Sequence, residues 1–217
     1  MDEPFSLRVD PPATTLRKGQ KTRDAILNDA LALASQVGLE GISIADVAQR
    51  AGLSKSGLFA HFGSKEELQR ATLARAEALF RDRVLKPAQN FQHGLPRLRA
   101  LFDYWLAWIE GGDELPGGCL MISAAIEYDD RPGPMREVLA HGHRELRGAI
   151  AKVVRVAVEH GELADGSDPS QFAFELFGIV LSASFEWRLL NERRSLERAR
   201  RSFERLVRCY QQSQSEA

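Results

Sequence analysis

Ser54, Lys55, Ser56 and Gly57 follow directly on the pair Gly52-Leu53, and this run of small polar and basic residues has a definite chemical use. If Ser54 caps a helix, the first turn presents free backbone N–H groups, hydroxyls and one ammonium, with no bulky side chain to keep a partner away. Such a surface receives phosphate oxygens and admits base edges of a DNA major groove. His61 and Lys65 extend the same edge, and Ser64-Lys65-Glu66-Glu67 reads as a full capping box that turns the next helix's amides and Lys65 toward a phosphate. Between Ala60 and Phe62, His61 serves equally well as a partner for neighbouring backbone.

Positioning these groups takes two short helices and a tight reversal. Ser43 can cap the first of them, with Asp46 at its third position as a variant capping box. Ala48 is small where a following helix must cross, Gly52 lets the chain reverse, and Leu53 and Leu58 are apolar anchors. This is helix-turn-helix spacing. Before it, Ala25, Ile26, Ala30, Leu33, Ala34 and Val37 recur at helical intervals up to Gly38. Apolar positions three and four apart, broken by Gly, Pro or capping residues, continue throughout. The predicted helices are a first one of about four turns that stops at Gly38, then Ile44 to Ala51, Lys55 to Phe62, Lys65 to just before Pro87, Pro96 to Ile109, Cys119 to Glu127, Met135 to His160, Pro169 to Asn191 and Ser195 to Gln212. Alternating strand patterns are missing, so the expected fold is all-α with about nine helices.

Composition narrows the function classes. The 217 residues are 44% hydrophobic and 27% charged, an ordinary globular balance, and no apolar run approaches a membrane span. No secretory signal is visible at the N-terminus, which fits a cytoplasmic protein. Cys119 and Cys209 form no ligand-spaced cluster, and His141 and His143 point about 200° apart on a helix, so no metal or other cofactor is expected. No nucleophile or acid/base pairing stands out, which argues against an enzyme. The formal net charge of -1 hides an uneven distribution: from Arg17 to Lys65 seven basic residues face four acidic ones, a local net of +3. Four of those bases, Arg17, Lys18, Lys21 and Arg23, suit a neighbouring phosphate or a minor-groove arm.

Residues 22–68 resemble the DNA-binding domain of the tetracycline-repressor (TetR-like) family of bacterial transcriptional regulators. The resemblance is carried by Ile44-Ala45-Asp46-Val47-Ala48, Ala51-Gly52-Leu53-Ser54-Lys55-Ser56, Leu58-Phe59-Ala60-His61-Phe62 and Ser64-Lys65-Glu66-Glu67-Leu68. It implies that Ser43, Ser54, Lys55, Ser56, Phe59, His61 and Lys65, beside the backbone at Gly57, approach phosphates or base edges, while Leu58 and Phe62 pack the domain. Relatives usually carry Tyr-Tyr or Tyr-x where this chain has Phe59-Ala60, so a hydroxyl contact to phosphate is lost and Phe59 is left to touch a thymine methyl or sugar.

Residues 1–16, with Pro4, Pro11 and Pro12 and no periodicity, read as a flexible tail, and the resemblance further implies a DNA-binding domain at 17–68 with a linking helix to about residue 85 and a ligand-binding and dimerisation domain at 69–217. The run from Gly117 to Gly133-Pro134 looks like a recurring subgroup of that family. Aromatic and apolar tracts around Trp105 and Met121 read as core that can also leave a cavity, and the candidate lining is Trp105, Trp108, Met121, Ala125, Glu127, His143 and Phe177. The last two helices are expected to pair with those of a second copy through Phe172, Leu176, Ile179, Val180, Ala183, Trp187, Leu206 and Tyr210, although the same stripe can be intramolecular core. The implied partners are palindromic double-stranded DNA, a second copy of the chain and an apolar or aromatic small-molecule effector. The leading function is a homodimeric repressor released by that effector. An activator of the same family, a helical enzyme using His143 and Glu127, and a protein-binding scaffold are the alternatives.

Overall fold

The computed structural model describes residues 13–112 and 115–212, and all regular structure among them is helical. Helix α1 (Ala13–Val37) is 25 residues long, well beyond the expected four turns, because no proline interrupts the chain after Pro12 and the basic segment expected to lead into the helix is part of it. Residues 13–16 of the anticipated tail are therefore helical, and positions 1–12 lie outside the described residues. Next come α2 (Ile44–Arg50), α3 (Lys55–Phe62) and α4 (Lys65–Phe80). Ile26, Ala30, Leu31 and Ala34 of α1 are buried in one cluster with Val47, Leu58, Phe62 and Leu68.

The α2–α3 turn is a complete Schellman motif. Leu53 N–H donates to the Ala48 carbonyl at 2.9 Å and Gly52 N–H to that of Gln49 at 3.3 Å. Gly52 sits at φ +66°, where a Cβ is penalised.

Helix α4 was expected to stop before Pro87. It instead passes through a π turn (Arg81–Leu85) into a last turn, α5 (Lys86–Ala88). Pro87 falls in the first positions of α5, where its missing N–H forfeits no helical bond. The wider turn lets the coil continue up to a residue that an unbroken α-helix would reject.

The remaining helices are α6 (Leu95–Glu110), α7 (Leu120–Glu127), α8 (Pro134–Glu159), α9 (Pro169–Arg188) and α10 (Ser195–Gln212). Helix α9 lies between α8 and α10, its most extensive neighbours, and α6 packs across α8 and α9. On α6, Phe102 stacks on Phe203 with centroids 4.2 Å apart, while Phe80 of α4 meets Trp105 and Trp108 edge-on at 5.4 and 5.5 Å. Each such aromatic pair adds about 0.5–1.5 kcal/mol beyond area burial. Helix α4 thus begins among the N-terminal helices and ends against Trp105 and Trp108 of α6. No helix among the described residues is long and apolar enough to cross a membrane.

Candidate nucleic-acid interface and internal cavity

The first turn of α3 has the form anticipated for it. Ser54 Oγ accepts from Gly57 N–H at 3.1 Å and lies 3.2 Å from Ser56 Oγ. Lys55, Ser56 and Phe59 are exposed, Phe59 at 54%, while Leu58 and Phe62 face the core. Among the described residues Lys55 has no hydrogen bond or ion pair, so its charge is available to an outside anion. Ser43 caps α2, its Oγ accepting from Asp46 N–H at 3.2 Å and donating to Asp46 Oδ2 at 2.6 Å. Only the forward half of the Ser64 capping box forms: Ser64 Oγ accepts from Glu67 N–H at 3.0 Å, and the Glu67 carboxylate instead faces Arg70 at 4.0 Å.

Several basic residues in this region have partners within the chain. Arg23 of α1 donates through Nη1 to the His61 carbonyl, with its guanidinium 4.3 Å from the Phe62 ring centre, so it fastens α1 to the end of α3. Arg50 pairs with Asp29 at 3.5 Å. His61 is half-buried against Phe62. Lys65 Nζ donates to the Glu40 carbonyl at 2.8 Å and to Glu40 Oε1 at 3.0 Å.

Glu40 is the centre of a polar junction. Tyr128 donates its hydroxyl to Glu40 Oε2 at 2.7 Å, and Gln69 adds a bond at 3.1 Å. The Tyr128 hydroxyl first, then Lys65, holds the Glu40 carboxyl down at about 2. A depressed carboxyl pKa stabilises the fold at pH above the ordinary 4.5, and this contribution is lost as pH falls toward 2. Tyr128→Phe is therefore expected to lower the urea midpoint at pH 7, with the gap to wild type closing as pH falls from 4.5 to 2. A gap that stays constant across that range would contradict the role given to the hydroxyl.

Glu127 has a different place from the one expected. Its two oxygens accept from Leu39 N–H at 2.9 Å and Glu40 N–H at 3.0 Å, so it caps the turn after α1 and not a ligand. At the other end of α7, Gly117 N–H donates to Ser35 Oγ at 2.9 Å. Helix α7 is thus fastened to α1 at both ends.

A cavity of about 450 Å³ opens between α4, α7 and α8, with Trp105 of α6 and Phe177 of α9 in its wall. Trp105, Met121, His143 and Phe177 line it, as expected, and His143 Nε2 lies 3.3 Å from the Met121 carbonyl. Trp108, Ala125 and Glu127 do not. Trp108 faces a separate cleft with Tyr104 and Leu115, and Ala125 and Glu127 lie beyond Ile122, the last residue of α7 that reaches the cavity. Sequence reasoning missed Glu77 and Phe80. The signal was present, since Glu77 stands at helical spacing between Leu73 and Phe80 on the buried side of α4.

The anticipated interface stripe also needs correction. Phe172, Leu176, Val180, Ala183 and Leu206 are buried within the single chain, and Ile179, Trp187 and Tyr210 are half-buried against the same core. The uncovered apolar face of α9 is the next one round, with Phe174, Leu181 and Phe185 exposed and Leu189 just past the helix end. A helix with two apolar faces gives its stronger stripe to its own core.

Residues 26–72 match the family model "Bacterial regulatory proteins, tetR family", and residues 94–203, half of the chain, match "Tetracyclin repressor-like, C-terminal domain". The chain belongs to the tetR family. As a tetR-family member it is a helix-turn-helix, DNA-binding transcriptional regulator. It is 29% identical over 168 residues to the HTH-type transcriptional repressor ComR of Escherichia coli K12, covering 76% of this chain and 79% of ComR. A TetR transcriptional regulator from Chloroflexus aurantiacus superposes with a TM-score of 0.79 at 30% identity, over 88% of this chain and 95% of that one. The structure of AibR in complex with isovaleryl coenzyme A and operator DNA shares the fold with a TM-score of 0.67 at 24% identity, over 88% and 98% of the two chains. Within the tetR-family fold of this chain, no group of three or more His, Cys, Asp or Glu among the described residues is placed to hold a metal ion.

Proposed function

We propose that this tetR-family regulator is a homodimeric repressor that leaves a palindromic operator when a small molecule fills the α4–α7–α8 cavity. The observation that carries the reading is the course of α4: it starts at Lys65, directly after α3 ends at Phe62, and its far end and the π turn that continues it wall the cavity with Phe80 and Leu85. Residues 17–68 act as the DNA-binding unit and 69–217 as the ligand-binding and dimerisation unit. Lys55, Ser56, Gly57 and Phe59 face the groove, and Ser43, Ser54, His61 and Lys65 serve as phosphate contacts or hold the groups that make them. Phe174, Leu181, Phe185 and Leu189 form the contact with a second copy, which places two recognition helices about one DNA turn apart. AibR, of the same fold, is bound to both an acyl-coenzyme A and operator DNA, which supports one chain recognising a small molecule and an operator. The protein works in the cytoplasm, without a metal or catalytic step.

Effector control needs different ligand affinities for the DNA-competent and DNA-incompetent arrangements. Gel shift on the DNA upstream of its own gene tests the reading, with a sequence-preferring complex at moderate salt as the expected result. Retardation no stronger than that of random DNA refutes it. In the same assay Lys65→Ala is expected to weaken all sequences about equally, with a salt slope smaller by roughly 1 per head. Because Lys65 must first release Glu40, the loss in affinity should be smaller than for Lys55→Ala. An unchanged slope removes Lys65 from the phosphate contacts.

A further inference from the structure

Glu77 is a polar group in the cavity wall that no other part of the described chain uses. It is half-buried on α4, one turn before Arg81, and its Oε1 lies against α8 at Gly142, where an added Cβ would stand 3.2 Å away. Among the described residues its carboxylate has neither a hydrogen bond nor an ion pair. The charged and titratable groups lining the cavity with it are Arg81 at the start of the π turn, the buried Cys119 thiol just before α7, and His141, His143 and Glu145 on α8. Arg81, His141 and Glu145 are exposed, whereas His143 is half-buried and spends Nε2 on the Met121 carbonyl. The inner part of the cavity therefore combines one unpaired carboxylate with the rings of Phe80, Trp105 and Phe177.

We propose that the ligand is a flat organic cation, its charged nitrogen at Glu77 and its body among those three rings. The proposal rests on the reading of this cavity as the effector site. An anion would meet the carboxylate with like charge. A neutral apolar molecule would remove water from Glu77 and give nothing back, which leaves a desolvated acceptor unsatisfied. A cation satisfies the carboxylate and is drawn to aromatic faces as well. Burial pushes the Glu77 carboxyl up, with Arg81 the largest opposing influence ahead of the two histidines, and none of the three is bonded to it. From Glu77 to Lys65 is twelve residues of one helix, about 18 Å. A ligand held there acts directly on the helix that starts at the DNA-facing edge.

The test uses the full chain without DNA and two three-ring probes, cationic proflavine and neutral acridone, titrated by quenching of tryptophan fluorescence. Proflavine is expected to bind at least tenfold more tightly than acridone. Glu77→Gln should reduce that preference to within about twofold, while Glu159→Gln, exposed at the end of α8 and outside the cavity, leaves it unchanged. Equal binding of the two probes to the unmodified chain overturns the cation assignment and leaves the cavity as an effector site. That comparison needs no variant, so a Glu77→Gln chain that failed to fold would not decide the matter. A folded Glu77→Gln that keeps the preference also overturns the proposal. Quenching by neither probe, in protein that still binds its operator, removes both the cation and the cavity reading.

Discussion

Phe185→Glu is expected to run as a monomer in sedimentation and to bind operator DNA at least a hundredfold more weakly than the unmodified chain. Phe185 is 56% exposed in the protomer, with Phe174 at 59% one side of it and Leu189 at 68% the other. In a two-fold interface one substitution appears twice, so two carboxylates would be desolvated against apolar surface. The protomer itself should fold normally, because the side chain contributes little to its core, and helical circular dichroism is the control. Operator affinity falls because a single head loses the second binding event, which is worth about 10²–10⁴ when geometry allows both. A Phe185→Glu chain that stays dimeric would move the interface elsewhere. Phe172→Glu is the instructive contrast: its position is fully buried, so the fold itself should fail.

Gly117→Ala should lower stability by about 3 kcal/mol, the upper range for forced overpacking, and the melting temperature by roughly 6–12 °C for a chain of this size. An added Cβ at Gly117 would stand 1.6 Å from the Ser35 carbonyl oxygen, and the contact is backbone, which cannot swing aside as a side-chain tip can. The same displacement would break the Gly117 N–H to Ser35 Oγ bond. Gly112→Ala is the matched control, since a Cβ there meets nothing within 4 Å among the described residues, and it should be close to neutral. Equal melting temperatures for the two variants would mean that the loop before α7 is not held against α1.

Much of this molecule is written locally, and that part was readable. Ser43, Ser54 and Ser64 each cap a helix that follows at once, and Gly52 closes a turn whose bonds span six residues, so sequence spacing alone specified the α2–α3 unit. The parts that were misread are set by distance in space. Glu127 looked like a cavity acid on a short apolar helix, but its partners, Leu39 and Glu40, are nearly ninety positions away in the chain. Arg23 and Lys65 counted as free positive charge until packing brought them to the His61 and Glu40 carbonyls. Helix α9 illustrates the limit of periodicity: the stripe Phe172, Leu176, Val180 and Ala183 stands out, and only the positions of α8 and α10 decide that this stripe faces inward while Phe185 faces out. Glu77 was passed over because one acid in an apolar stripe looks like a helix tolerating a charge.

The double fastening of α7 constrains the length of the chain itself. Its eight residues span about 12 Å, with Gly117 pinned to Ser35 just before the helix and Glu127 pinned to Leu39 and Glu40 at its end. Adding or deleting one residue between those anchors would turn the second fastening by about 100° and shift it about 1.5 Å along the axis, so that it no longer met its amides. Met121 and Ile122, the α7 residues that reach the cavity, can vary with whatever it holds, but the count of residues from Gly117 to Glu127 cannot. Changes of length belong outside the two anchors, in the segments before Leu115 and after Tyr128, where an extra residue costs little more than loop entropy.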